Sequence, residues 1–227
     1  MHHYVLYGVF LMIKNILFDF DGVILDSMPV REYGFREIFK NFENIHIERL
    51  IDYHKQNQGL PRFNKIRYFF SDILLSPVSE NQAATYAEKF SAIMKKELIK
   101  KKYIITQTLE FIKNNYNRFN LHIVSGSEET ELKYLCAALE LSIYFKSILG
   151  SPRLKSQLVH QVLTTDNYLP HETILIGDSV NDYEAALKNN IYFFGFNNTS
   201  LITTNDYYIE SFDGLNRVLK GGARRRV

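Results

Sequence analysis

The chain has 227 residues, 46% hydrophobic and 23% charged, with a net charge of +2, enough apolar material for one or two domains with a core. Setting aside Arg224, Arg225 and Arg226 near the C-terminus turns +2 into −1, so the body of the protein is not a basic, nucleic-acid-binding surface. A single cysteine excludes an intrachain disulfide.

Residues 4–13 form an apolar run of about ten residues, too short to span a bilayer. The run has neither the basic start nor the small-residue cleavage site of a signal peptide, so the chain reads as soluble and cytoplasmic. Met12 stands directly before the first strand and could be the natural start. Residues 16–20 are apolar except for Asp19, as in a buried parallel strand. Burying an unpaired charge is expensive, so Asp19 and Asp21 belong at the open C-terminal end of that strand with a cation close by. Side chains at i and i+2 point the same way, roughly 7 Å apart. Two carboxylates on one side of a phosphoryl-sized group can divide the labour, one attacking and one handling a proton. Gly22 then lets the chain leave the strand sharply.

A helical series follows. Pro29 suits a first turn, with Tyr33, Ile38 and Phe39 at helical spacings. Further helices are expected over residues 47–56, 63–74 and 80–100, punctuated by Gly59-Leu60-Pro61 and Ser76-Pro77. Beyond residue 100 strand and helix alternate. Helices are expected over 108–115, 128–141, 156–163, 182–190 and 215–219, and strands over 121–124, 143–149, 173–176, 191–195 and, weakly, 207–209. Such alternation predicts an α/β fold with a doubly wound parallel sheet.

The spacing also reveals an insertion. Asp21 and Ser125 are about 100 residues apart, whereas a βαβ unit needs about 30. The surplus of about 70 is all helical and leaves from just beyond the Asp-x-Asp strand end. It should form a helical cap domain, residues 29–100, above an α/β core made of residues 1–28 and 101–227.

Three strands thus end in polar, ligand-ready residues: Asp19 with Asp21, Ser125, and Asp178. In an open parallel sheet those ends form the ligand crevice. Between the second and third, Gly150-Ser151-Pro152-Arg153-Leu154-Lys155 brings a lysine to a helix start. A cation opposes the helix dipole there, which suggests an anionic partner. Arg153 is close enough to compete for that partner.

These motifs resemble, in order, the four of the haloacid dehalogenase superfamily of phosphohydrolases: Asp19-Phe20-Asp21-Gly22-Val23, Val124-Ser125-Gly126-Ser127, Lys155, and Gly177-Asp178-Ser179-Val180-Asn181-Asp182. The resemblance covers the core, about 150 residues, and the cap only by position and helicity. With a helical segment inserted after the first strand, the chain resembles the capped group, to which phosphoglycolate phosphatases, β-phosphoglucomutases and sugar-phosphate phosphatases belong. The resemblance implies that Asp19 is a nucleophile forming an aspartyl-phosphate. It implies that Asp21 is general acid and then base. Asp19, Asp178 and the backbone carbonyl of Asp21 would hold Mg²⁺. Ser125, the Gly126 amide and Lys155 would hold the phosphoryl oxygens, and Asp182 would fix Lys155 or a metal-bound water. The motif lacks the proline that often follows the lysine.

Electrostatics explains why the whole set is needed. A carboxylate about 4 Å from a phosphate dianion meets repulsion of about 4 kcal/mol per charge pair at an effective dielectric near 20. Two pairs amount to about 8 kcal/mol, which is about six decades in rate. Mg²⁺ and Lys155 offset that cost.

The implied function is a Mg²⁺-dependent phosphatase of a small phosphomonoester, such as a sugar or sugar-acid phosphate. A phosphomutase of the β-phosphoglucomutase type is the alternative, and a non-catalytic binding protein on the same fold the third. The loop Gly59-Leu60-Pro61-Arg62-Phe63-Asn64-Lys65 should set specificity through Arg62 and Lys65, as capped relatives carry a similar Gly-x-x-Arg stretch. Cys136 falls at buried helical spacing with Leu132, Leu135 and Leu139. The seven histidines show no ligand spacing, and His122 reads as a satisfied core residue. Asp26 and Ser27 should cap or orient the segment that enters the cap, and the tail from Gly221 to Val227 should be disordered.

Overall fold

The computed structural model describes residues 12–57, 59–203 and 207–219. The C-terminal tail and most of the apolar N-terminal run lie outside the described residues. Among those described, no helix is long and apolar enough to cross a membrane.

The centre is a six-stranded parallel sheet in the order β3-β2-β1-β4-β5-β6. Its strands are β1 (Asn15–Phe18), β2 (Asn120–Glu128), β3 (Ser147–Ser151), β4 (Thr173–Gly177), β5 (Tyr192–Phe196) and β6 (Tyr208–Ile209). Strand β1 lies between β2 and β4 with Ile16 level with Leu121 and Ile174. The chain winds outward on one side of β1 and then returns to build the other side. A switch point therefore falls at the C-terminal ends of β1 and β4, where such sheets bind ligands.

Alternation along the strands feeds two apolar layers. Ile16, Phe18, Ile123, Ile174 and Ile176 face one side, with Phe111, Leu132, Leu135, Cys136, Phe212 and Leu215 packed over them. Leu17, Val124, Leu175 and Phe193 face the other, under Leu158, Val159, Val162, Ala185 and Ala186. Helices fill these layers, numbered here after four that precede them in the chain: α5 (Thr106–Asn115), α6 (Glu129–Ala138), α7 (Lys155–Thr165), α8 (Val180–Lys188) and α9 (Phe212–Leu219). The sheet is doubly wound as the sequence predicts. His122 is buried and satisfied, Nδ1 lying 2.7 Å from Ser147 Oγ and Nε2 3.1 Å from Tyr168 Oη.

Among the described residues, the elements between β1 and α5 are helical: α1 (Met28–Ile38), α2 (Asn44–Gln56), α3 (Arg62–Tyr68) with a π-helical turn over Phe69–Ile73, α4 (Glu80–Glu97) and a 3₁₀ turn over Lys101–Tyr103. They pack through aromatic rings, Phe35 on Phe90 at 4.5 Å and Phe39 on Phe69 at 4.0 Å between centroids. Gly34 lets α1 approach α4, since a Cβ there would crowd Phe90 and Met94. Ser79 and Gln82 start α4 with a reciprocal capping box. The chain leaves the sheet at residues 24–26 and returns at 103–105. The two passages are bonded together, Asp26 N–H to Tyr103 O at 2.8 Å and Ile105 N–H to Ile24 O at 2.9 Å.

The strand expected over residues 143–149 begins and ends later. Ser142–Tyr144 form a 3₁₀ turn with Ile143 76% exposed. The ladder begins where Lys146 N–H donates to Leu121 O at 2.8 Å, and it runs on to Ser151. Pairing with β2, rather than apolar content, sets this strand. Strand β2 likewise continues past Val124 to Glu128, with a register shift across Ser125-Gly126-Ser127. Ser27 also departs from expectation. It occupies the N-cap position of α1, yet its side chain makes no cap bond, because the hydroxyl donates to Asp21 Oδ1 instead.

Candidate active site

Asp19 follows β1 directly, and its N–H still reaches Ile176 O on β4 at 2.9 Å. Its Oδ1 accepts from the Phe20 N–H at 2.7 Å, and its Oδ2 lies 2.9 Å from Lys155 Nζ. Lys155 opens α7, is buried, and also ion-pairs with Asp182 Oδ1. Asp182 in turn accepts from the Ser179 N–H at 3.0 Å and the Ser179 hydroxyl at 2.6 Å, the cap that starts α8. Asp182 therefore links the fourth motif's helix start to the lysine of the third. Arg153, the competing cation, is exposed and turns to Glu129 and Gln161.

Asp19, Asp178 and Asp182 each offer a carboxylate oxygen within 4.8 Å of the others. Burial, then Asp182, raise the Asp19 carboxyl to about 7 against the pull of Lys155. Burial, then Asp19 and Asp182, push Asp178 well above the usual carboxylate range. Against burial, Asp182 and Asp19 hold the Lys155 ammonium above the ordinary lysine range. A buried, mutually repelling set of oxygen donors with one lysine among them fits a hard divalent cation such as Mg²⁺. Gly22 has φ +74°, and a Cβ there would overlap Asp178 Oδ2, so glycine makes room for that carboxylate.

Asp21 belongs to a different set of contacts. Its Oδ1 accepts from Arg31 Nε at 2.7 Å and from Ser27, and its Oδ2 from Ser127 Oγ at 2.6 Å. Arg31 Nη2 also donates to Ser127 Oγ at 2.7 Å. Burial alone would raise the Asp21 carboxyl, but Arg31 and the two hydroxyls outweigh it and hold the group below its usual range. Ser125 is fully buried, and its Oγ accepts the Ser127 N–H at 3.1 Å. Gly126 faces the cavity, and a Cβ on it would overlap Gly59 O from the loop before α3.

Arg62 and Lys65 both line the cavity with Asp19, Asp21, Gly126 and Asp178. Arg62 Nη2 lies 2.6 Å from Glu131 Oε2, and its guanidinium sits over the Phe90 ring at 5.1 Å. Lys65 Nζ lies 2.8 Å from His54 Nδ1. The sequence motifs contain Ser127 but give it no role, and they do not include Arg31, His54 or Glu131. Arg31, Ser127 and His54 line the cavity, while Glu131 bridges Arg62 and Arg31.

A family profile described as haloacid dehalogenase-like hydrolase matches residues 16–196. The chain belongs to that family. This haloacid dehalogenase-like hydrolase is an enzyme of the phosphatase type. It is 23% identical over 178 residues to a phosphorylated carbohydrates phosphatase of Thermotoga maritima, covering 76% of this chain and 80% of that protein. Its fold matches β-phosphoglucomutase of Clostridium difficile with a TM-score of 0.74 at 16% identity, covering 92% of this chain and 97% of the other. It also matches Bacillus subtilis YfnB, a structure bound to magnesium, with a TM-score of 0.70 at 18% identity over 92% and 99% of the two chains.

Proposed function

We propose that this hydrolase is a Mg²⁺-dependent phosphatase of a small phosphomonoester, a sugar or sugar-acid phosphate or a related metabolite. The observation that carries the reading is Lys155 Nζ set between Asp19 and Asp182, beside Asp178, with Asp21 held separately by Arg31. In the first step an Asp19 carboxylate oxygen bonds to phosphorus, the ester P–O bond breaks, and Asp21 gives its proton to the leaving alkoxide. In the second, water attacks phosphorus, its proton passes to Asp21, and the aspartyl P–O bond breaks to return Asp19. Ser125, the Gly126 amide and Lys155 hold phosphoryl oxygens. Asp19 and Asp178, with the Asp21 carbonyl, would hold Mg²⁺, which when bound supplies positive charge opposite the phosphoryl oxygens.

Residues 29–100 act in this reading as a cap over a core of residues 1–28 and 101–227, lowering Arg62 and Lys65 over the substrate. The paired passages at 24–26 and 103–105 are its natural hinge. The phosphatase of Thermotoga maritima, by its name, acts on phosphorylated carbohydrates, which favours the sugar end of this range. Neither a nucleic acid nor a membrane enters the reaction, and the enzyme works in the cytoplasm.

Phosphate release from p-nitrophenyl phosphate and a panel of phosphorylated metabolites, with Mg²⁺ and with EDTA, tests the reading. Mg²⁺-dependent release supports it, and release that persists after exhaustive chelation would overturn the metal assignment. Isomerised product with little free phosphate, stimulated by a sugar bisphosphate, would identify a mutase instead.

A further inference from the structure

Strand β5 also ends beside the site. It stops at Phe196, and Asn197 and Asn198 follow directly. Asn197 Nδ2 donates to the Gly22 carbonyl at 3.1 Å, and Asn198 Nδ2 donates to the Asp178 carbonyl at 2.7 Å. In the sheet β4 lies between β1 and β5, so Asn197 reaches past the end of β4 to the turn that follows β1. Asn197 has φ +55°, a left-handed conformation in which asparagine is enriched. The Asn198 amide is oriented by its other end, since Oδ1 accepts from the Ser200 N–H at 3.2 Å and from its hydroxyl at 2.8 Å. Gly22, Asp178 and both asparagines line a polar cleft of about 490 Å³. Water entering that cleft could satisfy the two carbonyls. What a side-chain amide adds is a fixed position.

The position fixed is the gap between two loops. The β1–β4 ladder runs to Phe18 opposite Ile176, and Asp19 N–H adds a bond to Ile176 O. Asp21 and Gly22 then turn, with Gly22 N–H donating to Leu25 O at 2.7 Å. That N–H shares a peptide plane with the Asp21 carbonyl. The bond to Leu25 and the bond from Asn197 therefore hold the planes on both sides of the Gly22 Cα. Gly22 also packs so close to Asp178 that a Cβ on it would overlap Oδ2. The Asp21 carbonyl and the Asp178 carboxylate are two of the groups that would hold Mg²⁺. Mg²⁺ demands a near-ideal octahedron of oxygens at about 2.0–2.1 Å, whereas Ca²⁺ accepts irregular shells at about 2.3–2.6 Å. A neutral amide can set the separation of such groups without adding charge to the carboxylates around them.

We propose that Asn197 and Asn198 are positioning residues that clamp the Asp21–Gly22 turn and Asp178 at one separation, and so tune the site to Mg²⁺ over the larger Ca²⁺. The proposal rests on the Mg²⁺ reading above and deepens it.

Tm titrations with Mg²⁺ and with Ca²⁺, each on protein stripped with EDTA, give the Kd for both ions. Asn197→Gly leaves the left-handed backbone accessible and removes the amide. Asn198→Ala removes the second amide. Each should raise the Kd for Mg²⁺ about tenfold or more and the Kd for Ca²⁺ by no more than about threefold. Asn115→Ala is the control. Asn115 is buried at the end of α5, near the start of β2 and so at the opposite edge of the sheet, and it too donates to a backbone carbonyl, Phe111 O at 2.9 Å. That variant should lower the Tm in EDTA and leave both Kd values unchanged. Equal losses on the two ions, unchanged affinity in both Asn197→Gly and Asn198→Ala, or the same loss of preference in Asn115→Ala would overturn the clamp while leaving the Mg²⁺ reading in place. A wild type that binds no Mg²⁺ would overturn the Mg²⁺ reading and the clamp with it.

Discussion

Arg31 Nε donates to Asp21 Oδ1 at 2.7 Å, so a helix of the inserted segment holds the second carboxylate of the Asp-x-Asp motif. The contact favours the ionised carboxylate, the form that would accept a proton from the attacking water, and makes the protonated form that would serve the leaving alkoxide a stronger acid. Replacing Arg31 by Met should let burial raise the carboxyl, moving the acid limb of the kcat–pH profile to higher pH. A carboxyl depressed in the folded state stabilises above its unfolded pKa and loses that contribution as pH falls through the folded value. The variant should therefore be less stable by about 3–5 kcal/mol at neutral pH, with the gap narrowing below about pH 4. An unmoved acid limb would show that Arg31 does not govern Asp21.

Asp19 should show the opposite slope. Its carboxyl is raised to about 7, first by burial and then by Asp182. The folded Mg²⁺-free protein then holds a proton that the unfolded chain has lost. Stability should fall as pH rises from about 4 to about 7. Asp19→Asn should flatten that fall, seen by calorimetry in EDTA, while costing turnover several decades. Residual turnover above about one per cent of wild type would refute the nucleophile.

Mg²⁺ supplies an independent check on Asp178. At a free concentration about 100-fold over its Kd, the ion should stabilise the wild type by about 2.7 kcal/mol. Asp178→Asn should lose most of that gain. An equal rise in Tm for both proteins would place the ion elsewhere.

What was legible from the sequence was what the backbone dictates locally. Asp19, Asp178 and Ser125 follow apolar runs, and a parallel sheet carries such residues to one edge wherever the helices lie. Arg31, His54 and Glu131 sit on amphipathic helices, where a charge on the inward stripe looks like a half-buried surface residue. Only the docking of α1, α2 and α6 around one cavity gives them partners. Ser27 does not cap α1 for a related reason: a serine before a helix has the composition of a cap, but its hydroxyl is engaged by the nearby Asp21 carboxylate, so of capping and orienting only the capping is ruled out. Strand β3 was displaced because Ile143 and Tyr144 have strand-like composition, while the ladder is set by the backbone of β2.

Gly126 and Gly59 allow the loop before α3 to touch the second motif. A Cβ on Gly126 would overlap the Gly59 carbonyl, and Gly59 has little room to retreat, since a Cβ of its own would lie 2.7 Å from Asn181 Cβ. Gly126→Ala should force the loop outward, costing about 1–3 kcal/mol of stability. It should also cost at least about tenfold in kcat/KM, because small misplacements near the reacting group are expensive. Wild-type kinetics in the variant would show that the loop yields freely.

Arg62 carries two candidate duties, and a double-mutant cycle separates them. Its Nη2 lies 2.6 Å from Glu131 Oε2, which also accepts from Ser91 Oγ at 2.9 Å, so residues of α3, α4 and α6 meet in one buried cluster. Removing Arg62 leaves Glu131 with Arg31 at 3.7 Å as its nearest remaining cation in the cluster. A buried charge so exposed costs about 3–5 kcal/mol. Arg62→Ala should therefore lower Tm sharply, and Glu131→Gln in the same chain should recover much of the loss, with a coupling energy above about 1 kcal/mol. Additivity within about 0.5 kcal/mol would show that the ion pair does not stabilise the cluster. Kinetics then addresses the second duty. If Arg62 reads the substrate, the restabilised double variant should still lose about 10- to 100-fold in kcat/KM on the natural substrate, the worth of one charge-assisted contact. The loss on p-nitrophenyl phosphate, which offers no such group, should be smaller. Recovery of both activities along with Tm would assign Arg62 to holding α3 against α6 and leave substrate choice to its neighbours.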